Sequence, residues 1–184
     1  MKISEKYADY ILEETKKILE IDSPSGYTKN VAEYVMEEYH KLGYKADMTI
    51  KGGVLVDLGG EDESNAVMLD THIDTLGGMV SEIKADGNLR IVPIGGLNAN
   101  NTEAENVRVV TRDGKIYTGV FQLDNASVHV NKEYSEKKRS FACMEVLLDE
   151  MVSTKDDTRK LGIDVGDIVC FDPRTVITPS GYIK

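Results

Sequence analysis

The chain has 184 residues, 41% hydrophobic and 29% charged, a globular composition that excludes disordered, fibrous and collagen-like readings. Its 32 acidic residues outnumber 22 basic ones for a formal net charge of −10, which repels phosphate backbones and argues against a nucleic-acid partner. No apolar stretch approaches the roughly 20 residues that cross a bilayer, and Met1 to Ile21 reads as an amphipathic helix rather than a cleavable signal, so no membrane partner and a cytoplasmic location are expected.

Ala8, Ile11, Leu12, Thr15, Ile18 and Leu19 recur at three- and four-residue spacing, predicting a first helix capped by Ser4 with its apolar stripe facing a core. Asp22 to Gly26 breaks it. A second helix is predicted from Thr28, burying Val31, Val35, Met36, Tyr39 and Leu42 and stopping at Gly43, with Glu37, Glu38, His40 and Lys41 on its polar face. Tyr44, Ala46, Met48 and Ile50 alternate with polar residues in the period of a half-exposed strand. After the Gly52-Gly53 turn, Val54 to Leu58 and Ala66 to Ile73 are apolar runs of the kind buried in the middle of a sheet. Two helices followed by central strands imply a layered α/β unit.

Beyond Gly77-Gly78, which reads as the end of that last strand, the texture turns to β. Met79 to Ile83, Leu89 to Pro93, Val107 to Thr111, Lys115 to Phe121, Phe141 to Leu148 and Ile168 to Phe171 are short strands between turn signals. Asp86-Gly87 and Asp113-Gly114 predict two hairpins, because Asp-Gly supplies the positive φ angles of tight turns. One helix is predicted from about Thr154 to Leu161, with Thr154 and Asp157 in capping-box spacing and Gly162 as its stop. Thr178-Pro179-Ser180-Gly181-Tyr182 nearly copies Ser23-Pro24-Ser25-Gly26-Tyr27, but the flanks differ, so the two share turn composition rather than a repeat. Cys143 and Cys170 sit among apolar residues and read as small buried thiols.

The stretch from Met68 to Gly78 carries the chemistry. In an open α/β sheet ligand sites form at the carboxyl ends of strands, and His72 is expected at such an end. Residues two apart on a strand face the same side, so Asp74 can hydrogen-bond one imidazole nitrogen and leave the other aimed at a metal, zinc or cobalt by donor type. A hydrogen-bonded structural histidine fits the same spacing. Asp70 projects to the same side as a possible third ligand, but a carboxylate deeper in a buried strand needs a partner, and a paired structural role is favoured.

The order Ser25-Gly26-Tyr27 before an amphipathic helix, then Gly53-Val54-Leu55-Val56, then Met68 to Val80 resembles the M42 family of metallo-aminopeptidases. Val92 to Gly96, Arg112 to Lys115, Leu161 to Asp167 and Phe171 to Arg174 follow in the family's order, and the resemblance covers nearly the whole chain. It implies a zinc-peptidase-like α/β/α layered domain interrupted by an inserted β-rich dimerisation domain, barrel or PDZ-like. The expected parts are 1–76 as the start of the peptidase domain, 77–169 as the inserted oligomerisation domain and 170–184 as the return. It also implies that His72 is a metal ligand, that Asp74 orients it in a catalytic role, and that the complete site holds two ions. The partners implied are peptides and further copies of the chain, as a homo-oligomer.

The bridging carboxylate, the Glu-Glu pair with the general base and the last ligands of the family lie beyond the position of Lys184. A two-metal hydrolase needs several ligands and a carboxylate to move the proton, so the 184-residue polypeptide is expected to be inactive alone. Its uncovered apolar sheet is expected to drive association or disorder. A non-catalytic assembly module is the alternative. An M20-like dipeptidase or deacylase shares His-x-Asp, but there the extra domain follows the Glu pair. Glu13-Glu14 and Glu37-Glu38 imitate that pair, yet helix position makes them solvated charges. Asp156-Asp157 suits a helix amino terminus, His129 a satisfied histidine of the β part, and His40 a solvent-facing helix position. Ser25 and Ser180 lack the surroundings of a nucleophile elbow.

Overall fold

Two helices and one hairpin hold most of the backbone hydrogen bonds of the first 75 residues. In the computed structural model, which describes residues 3–184, α1 spans Ile3–Glu20 and α2 spans Lys29–Lys41. The side chain of Ser4, the expected cap of α1, lies outside the described residues. α2 ends at Leu42 because Gly43 follows at a φ of +87°, a conformation that L side chains rarely adopt. Val31 and Ala32 are its buried residues, whereas Leu42 is exposed.

The predicted stripe of α1 is only partly covered: Leu12, Thr15 and Ile18 are half-buried, but Ile11 is 57% exposed. A helix buries a stripe only where another element lies across it, and among the described residues nothing covers the Ile11 side. A polar link joins α1 to α2. Tyr34 donates its hydroxyl to Glu14 at 2.6 Å, and Lys17 donates to the same carboxylate at 2.6 Å. Glu14 is thus not the solvated charge its helix position suggested. The Lys17 ammonium and then the Tyr34 hydroxyl hold its carboxyl below the usual range.

β1 (Lys45–Met48) and β2 (Val54–Asp57) form an antiparallel pair with Ala46 opposite Val56. Only Ala46 of the predicted alternating set is buried. The run from Ala66 to Ile73 is not a strand. It belongs to no ladder, and Val67 and Leu69 are 86% and 83% exposed. An apolar run becomes a strand only when a neighbour meets its N–H and C=O groups, and the sheet of β1 and β2 has no third strand.

Residues up to Thr75 form one compact unit with Pro173–Lys184, and Leu76–Asp172 form another. In the first unit the terminal segment is a small hairpin, with Ile177 bridged to Ile183 and Thr178 N–H donating to Tyr182 C=O at 2.8 Å. The second unit is a closed six-stranded barrel, so of the two β-rich forms expected it takes the barrel. Its strands are β3 (Gly77–Ile83), β4 (Leu89–Ile94), β5 (Glu105–Val110), β6 (Ile116–Leu123), β7 (Met144–Leu148) and β8 (Ile168–Phe171). They run in the spatial order β3-β4-β7-β6-β5-β8, and β8 pairs back onto β3. Closure removes the unpaired edges that an open sheet presents. Gly77-Gly78 open β3 rather than end a preceding strand.

Both predicted hairpins form, with three-residue loops closed by Lys84 N–H to Asn88 C=O and Thr111 N–H to Lys115 C=O, each 2.9 Å. Gly87 and Gly114 take the left-handed position at φ +87° and +81°. Period-two burial fills the interior: Val107 and Val109 on β5, Phe121 and Leu123 on β6, Val146 and Leu148 on β7. Gly119 permits β6 and β7 to approach, since a Cβ there would stand 2.5 Å from the Leu147 carbonyl oxygen.

α3 (Lys155–Lys160) packs on the barrel through Thr158, which donates its hydroxyl to Gly87 C=O at 2.7 Å. Its start uses the predicted Thr154–Asp157 pair: Thr154 Oγ1 caps the helix by accepting Asp157 N–H at 3.2 Å and donates to Asp157 Oδ2 at 2.7 Å, where a full capping box would have the carboxylate accept the Thr154 N–H. These contacts pull the Asp157 carboxyl down to about 2, the Thr154 hydroxyl contributing most. A depressed folded pKa means stabilisation present above the unfolded value of about 4 and lost as pH falls toward 2. Thr154→Ala is expected to cost about 1 kcal/mol at neutral pH by thermal unfolding and to blunt that acid sensitivity.

Asp167 is the barrel's one internal carboxylate with an unsatisfied atom among the described residues. It is 2% exposed; Oδ2 accepts Asp164 N–H at 2.8 Å, and buried Oδ1 has no partner. Burial pushes its pKa up, against the Asp164 N–H and the Arg112 charge. A raised folded pKa binds protons in the native state, so stability falls as pH rises from the unfolded value through the folded one. Asp167→Asn should melt higher than the wild type at neutral pH, by about 1 kcal/mol, and this advantage should shrink in acid. An unchanged pH profile of the variant would refute this account.

Candidate functional site

Ser23-Pro24-Ser25 runs parallel to Ile73-Asp74-Thr75, with Pro24 bridged to Thr75. Thr75 N–H donates to Ser23 C=O at 2.8 Å, and the buried Ser23 hydroxyl donates to Ile73 C=O at 3.3 Å. The backbone is therefore pinned on both sides of Asp74. This seam, not the predicted sheet, sets the position of the His72-x-Asp74 pair.

His72 Nδ1 lies 3.1 Å from Asp74 Oδ1, and Ser25 donates its hydroxyl to Asp74 Oδ2. The Ser25 hydroxyl, and secondarily the His72 ring, hold the Asp74 carboxyl below its usual range despite partial burial. An ionised carboxylate only accepts hydrogen bonds, so neutral His72 carries its proton on Nδ1 and presents an unprotonated Nε2. The ring is 85% exposed, against 36% for the Asp74 side chain. The pair has the chemistry of one metal-ligand position: a free imidazole nitrogen on a ring oriented by a carboxylate. It does not make a closed centre, since among the described residues no group of three or more His, Cys, Asp or Glu could hold a metal.

The other expected residues lie apart from this pair or take different roles. Asp70 is exposed and forms no ion pair among the described residues, so the paired role in a buried strand is corrected along with the strand itself. His129 is exposed between exposed Val128 and Val130, not a satisfied β histidine. It lies in the turn-rich segment between β6 and β7, pinned by Arg139, which bonds Glu103 at 2.7 and 3.0 Å and the Tyr134 carbonyl at 2.8 Å. His40 is exposed, with its Nε2 3.1 Å from Ala46 C=O. Neither Cys143 nor Cys170 is in a disulfide. Sequence reasoning missed Ser23 and Ser25. The Ser-x-Ser-Gly pattern read as a helix break, a turn and part of the family resemblance, and nothing in it pointed to Asp74.

The profile of the family described as M42 glutamyl aminopeptidase matches residues 52–184. The chain belongs to the M42 peptidase family. A similar relative is YhfE of Bacillus subtilis, which carries an aminopeptidase name and is 44% identical over 173 residues, 94% of this M42 chain and 50% of the relative. An aminopeptidase of the archaeon Desulfurococcus kamchatkensis superposes with a TM-score of 0.81 at 30% identity, over 94% of this chain and 46% of that one. The TET1 peptidase of Pyrococcus horikoshii, described as able to assemble into a tetrahedron or a large octahedral shell, shares the fold at a TM-score of 0.76 and 23% identity, over 94% and 49% of the two chains. This M42 chain spans about half the length of the curated relatives it matches.

Proposed function

We propose that this chain is the N-terminal part of a divalent-metal aminopeptidase that removes N-terminal residues from peptides, and that His72 supplies one of its metal ligands. The observation that carries the reading is the His72 ring held through Nδ1 by Asp74, with Nε2 left open. Zinc or cobalt, two ions in the complete site, would polarise the scissile carbonyl and lower the pKa of the attacking water. His72 holds the ion, Asp74 keeps the imidazole in the binding tautomer, and Ser23 and Pro24 fix the backbone on which Asp74 stands.

The chain order supports a peptidase domain built from both ends of the chain with an oligomerisation domain inserted, because one compact unit gathers both ends; the boundaries between the compact units fall at Thr75 and Pro173, against expected junctions at 76 and 170. The shells described for the TET1 relative support a homo-oligomer. Two cysteines outside any disulfide are consistent with a reducing, cytoplasmic location, and no helix among the described residues is long and apolar enough to cross a membrane.

One ligand and its orienting carboxylate cannot activate water and protonate a leaving amine, so the 184-residue chain is inactive by itself. The test compares it with a polypeptide continued to the length of its relatives, both given zinc or cobalt and a chromogenic aminoacyl anilide. Turnover by the long form only is expected. Turnover by the short chain, or by neither, would overturn the proposal.

A further inference from the structure

We infer that Ser25 is a positioning residue for His72: its hydroxyl locks the Asp74 carboxylate in the rotamer that keeps the imidazole proton on Nδ1. The inference rests on the reading of His72 as a metal ligand given above, but its geometry stands apart from any metal. The two oxygens of Asp74 are divided between two side-chain donors, His72 on Oδ1 and Ser25 on Oδ2. A carboxylate held by the histidine alone can turn about its terminal torsion, which is broad and roughly two-fold. A second donor on the far oxygen fixes its plane, and so the direction in which Oδ1 meets the ring.

The hydroxyl has no other evident task. The turn at Ser25 is closed by Tyr27 N–H on Pro24 C=O at 2.7 Å and by Gly26 at φ +88°. Attachment to Ile73–Thr75 is made by Ser23 and by the Pro24–Thr75 bridge. Neither uses the Ser25 side chain, which is exposed apart from its bond to Asp74. The hydroxyl takes no part in closing the turn, and its one bond across the seam goes to the carboxylate of Asp74, 49 positions away, so what it adds acts through that carboxylate.

The experiment is ¹⁵N-resolved NMR of the His72 ring in the metal-free 184-residue chain at about pH 8, above the ordinary histidine range. The wild type should show the Nδ1–H form in excess. Ser25→Ala should lower the ratio of Nδ1–H to Nε2–H several-fold, toward that of an unpartnered imidazole, with backbone shifts beyond the 23–25 and 73–75 segments unchanged. Ser25→Thr, which keeps the hydroxyl, should restore the ratio. If Ser25→Ala lost the native backbone spectrum, Ser25→Cys, nearly isosteric and a poor donor, would give the reading instead. A wild-type ratio in the folded Ala or Cys variant overturns the proposal. Because the measurement needs no metal and no substrate, failure of the peptidase reading would show in the activity assay and leave this result distinct.

Discussion

Phe121→Ala should lower the unfolding free energy of the barrel by about 3–5 kcal/mol, the range for deleting a large buried aromatic ring. Phe121 is fully buried on β6, stacked on Phe141 at 5.7 Å and met edge-on by Phe171 at 5.8 Å. Removing the ring forfeits its transfer energy and both aromatic contacts, and leaves a cavity that a closed barrel cannot collapse into, because its strands are pinned on both sides. Against a typical total of about 5–15 kcal/mol the loss is large enough to leave the unit partly unfolded at moderate temperature. Denaturant unfolding of the variant measures it. Ile116→Ala, on the same strand but 57% exposed, is the control and should change stability by no more than about 0.5 kcal/mol. Equal effects at the two positions would refute the packing account.

Asp74→Asn, made in a polypeptide of full family length, should weaken zinc or cobalt binding about 10- to 100-fold, the usual effect of removing the carboxylate that orients a metal-bound histidine. The argument is one of donors and acceptors. Asp74 accepts from both Ser25 and His72. An asparagine has one acceptor oxygen, so one of those two donors loses its partner. If the amide NH₂ faces His72, the ring must accept on Nδ1, its proton moves to Nε2, and the metal-binding nitrogen is blocked. If the oxygen faces His72, the bond survives but is no longer made to a charged acceptor, and the ring is held less firmly. Chelator competition reads the affinity directly. Asp70→Asn, which removes an exposed carboxylate with no ion pair among the described residues, should leave that affinity unchanged; wild-type affinity for Asp74→Asn would sink the role assigned to Asp74.

The parts of this chain that declare themselves in sequence are those whose partners lie close along it. The hairpins at Gly87 and Gly114 and the helix cap of Thr154 and Asp157 are local devices, with every interacting group within four residues. The strands of the barrel are legible as short runs between turn signals, and a closed sheet supplies each of them with partners. Ala66 to Ile73 shows the opposite case. Its composition asks for a buried strand, but composition cannot provide the neighbour, and the run stays outside the sheet. The candidate site divides the same way. His72 and Asp74, two residues apart, could be paired by inspection, whereas Ser25 meets Asp74 across 49 positions and is brought there by a seam that no periodicity announces. His129 misled because Ser-Val-His-Val alternates like a strand while lying in a segment pinned by Arg139.

β3 and β8 are hydrogen-bonded neighbours, with Gly77 opposite Cys170 and Gly78 opposite Val169. The polypeptide enters and leaves the barrel through adjoining doors, with opposing Cα atoms about 5 Å apart. Such a unit behaves as a cassette: its loops can lengthen or shorten without moving the two ends that join it to the rest of the chain. Cutting it out at Leu76 and Asp172 would leave a gap that a few residues can span, and grafting it elsewhere would require only two nearby attachment points.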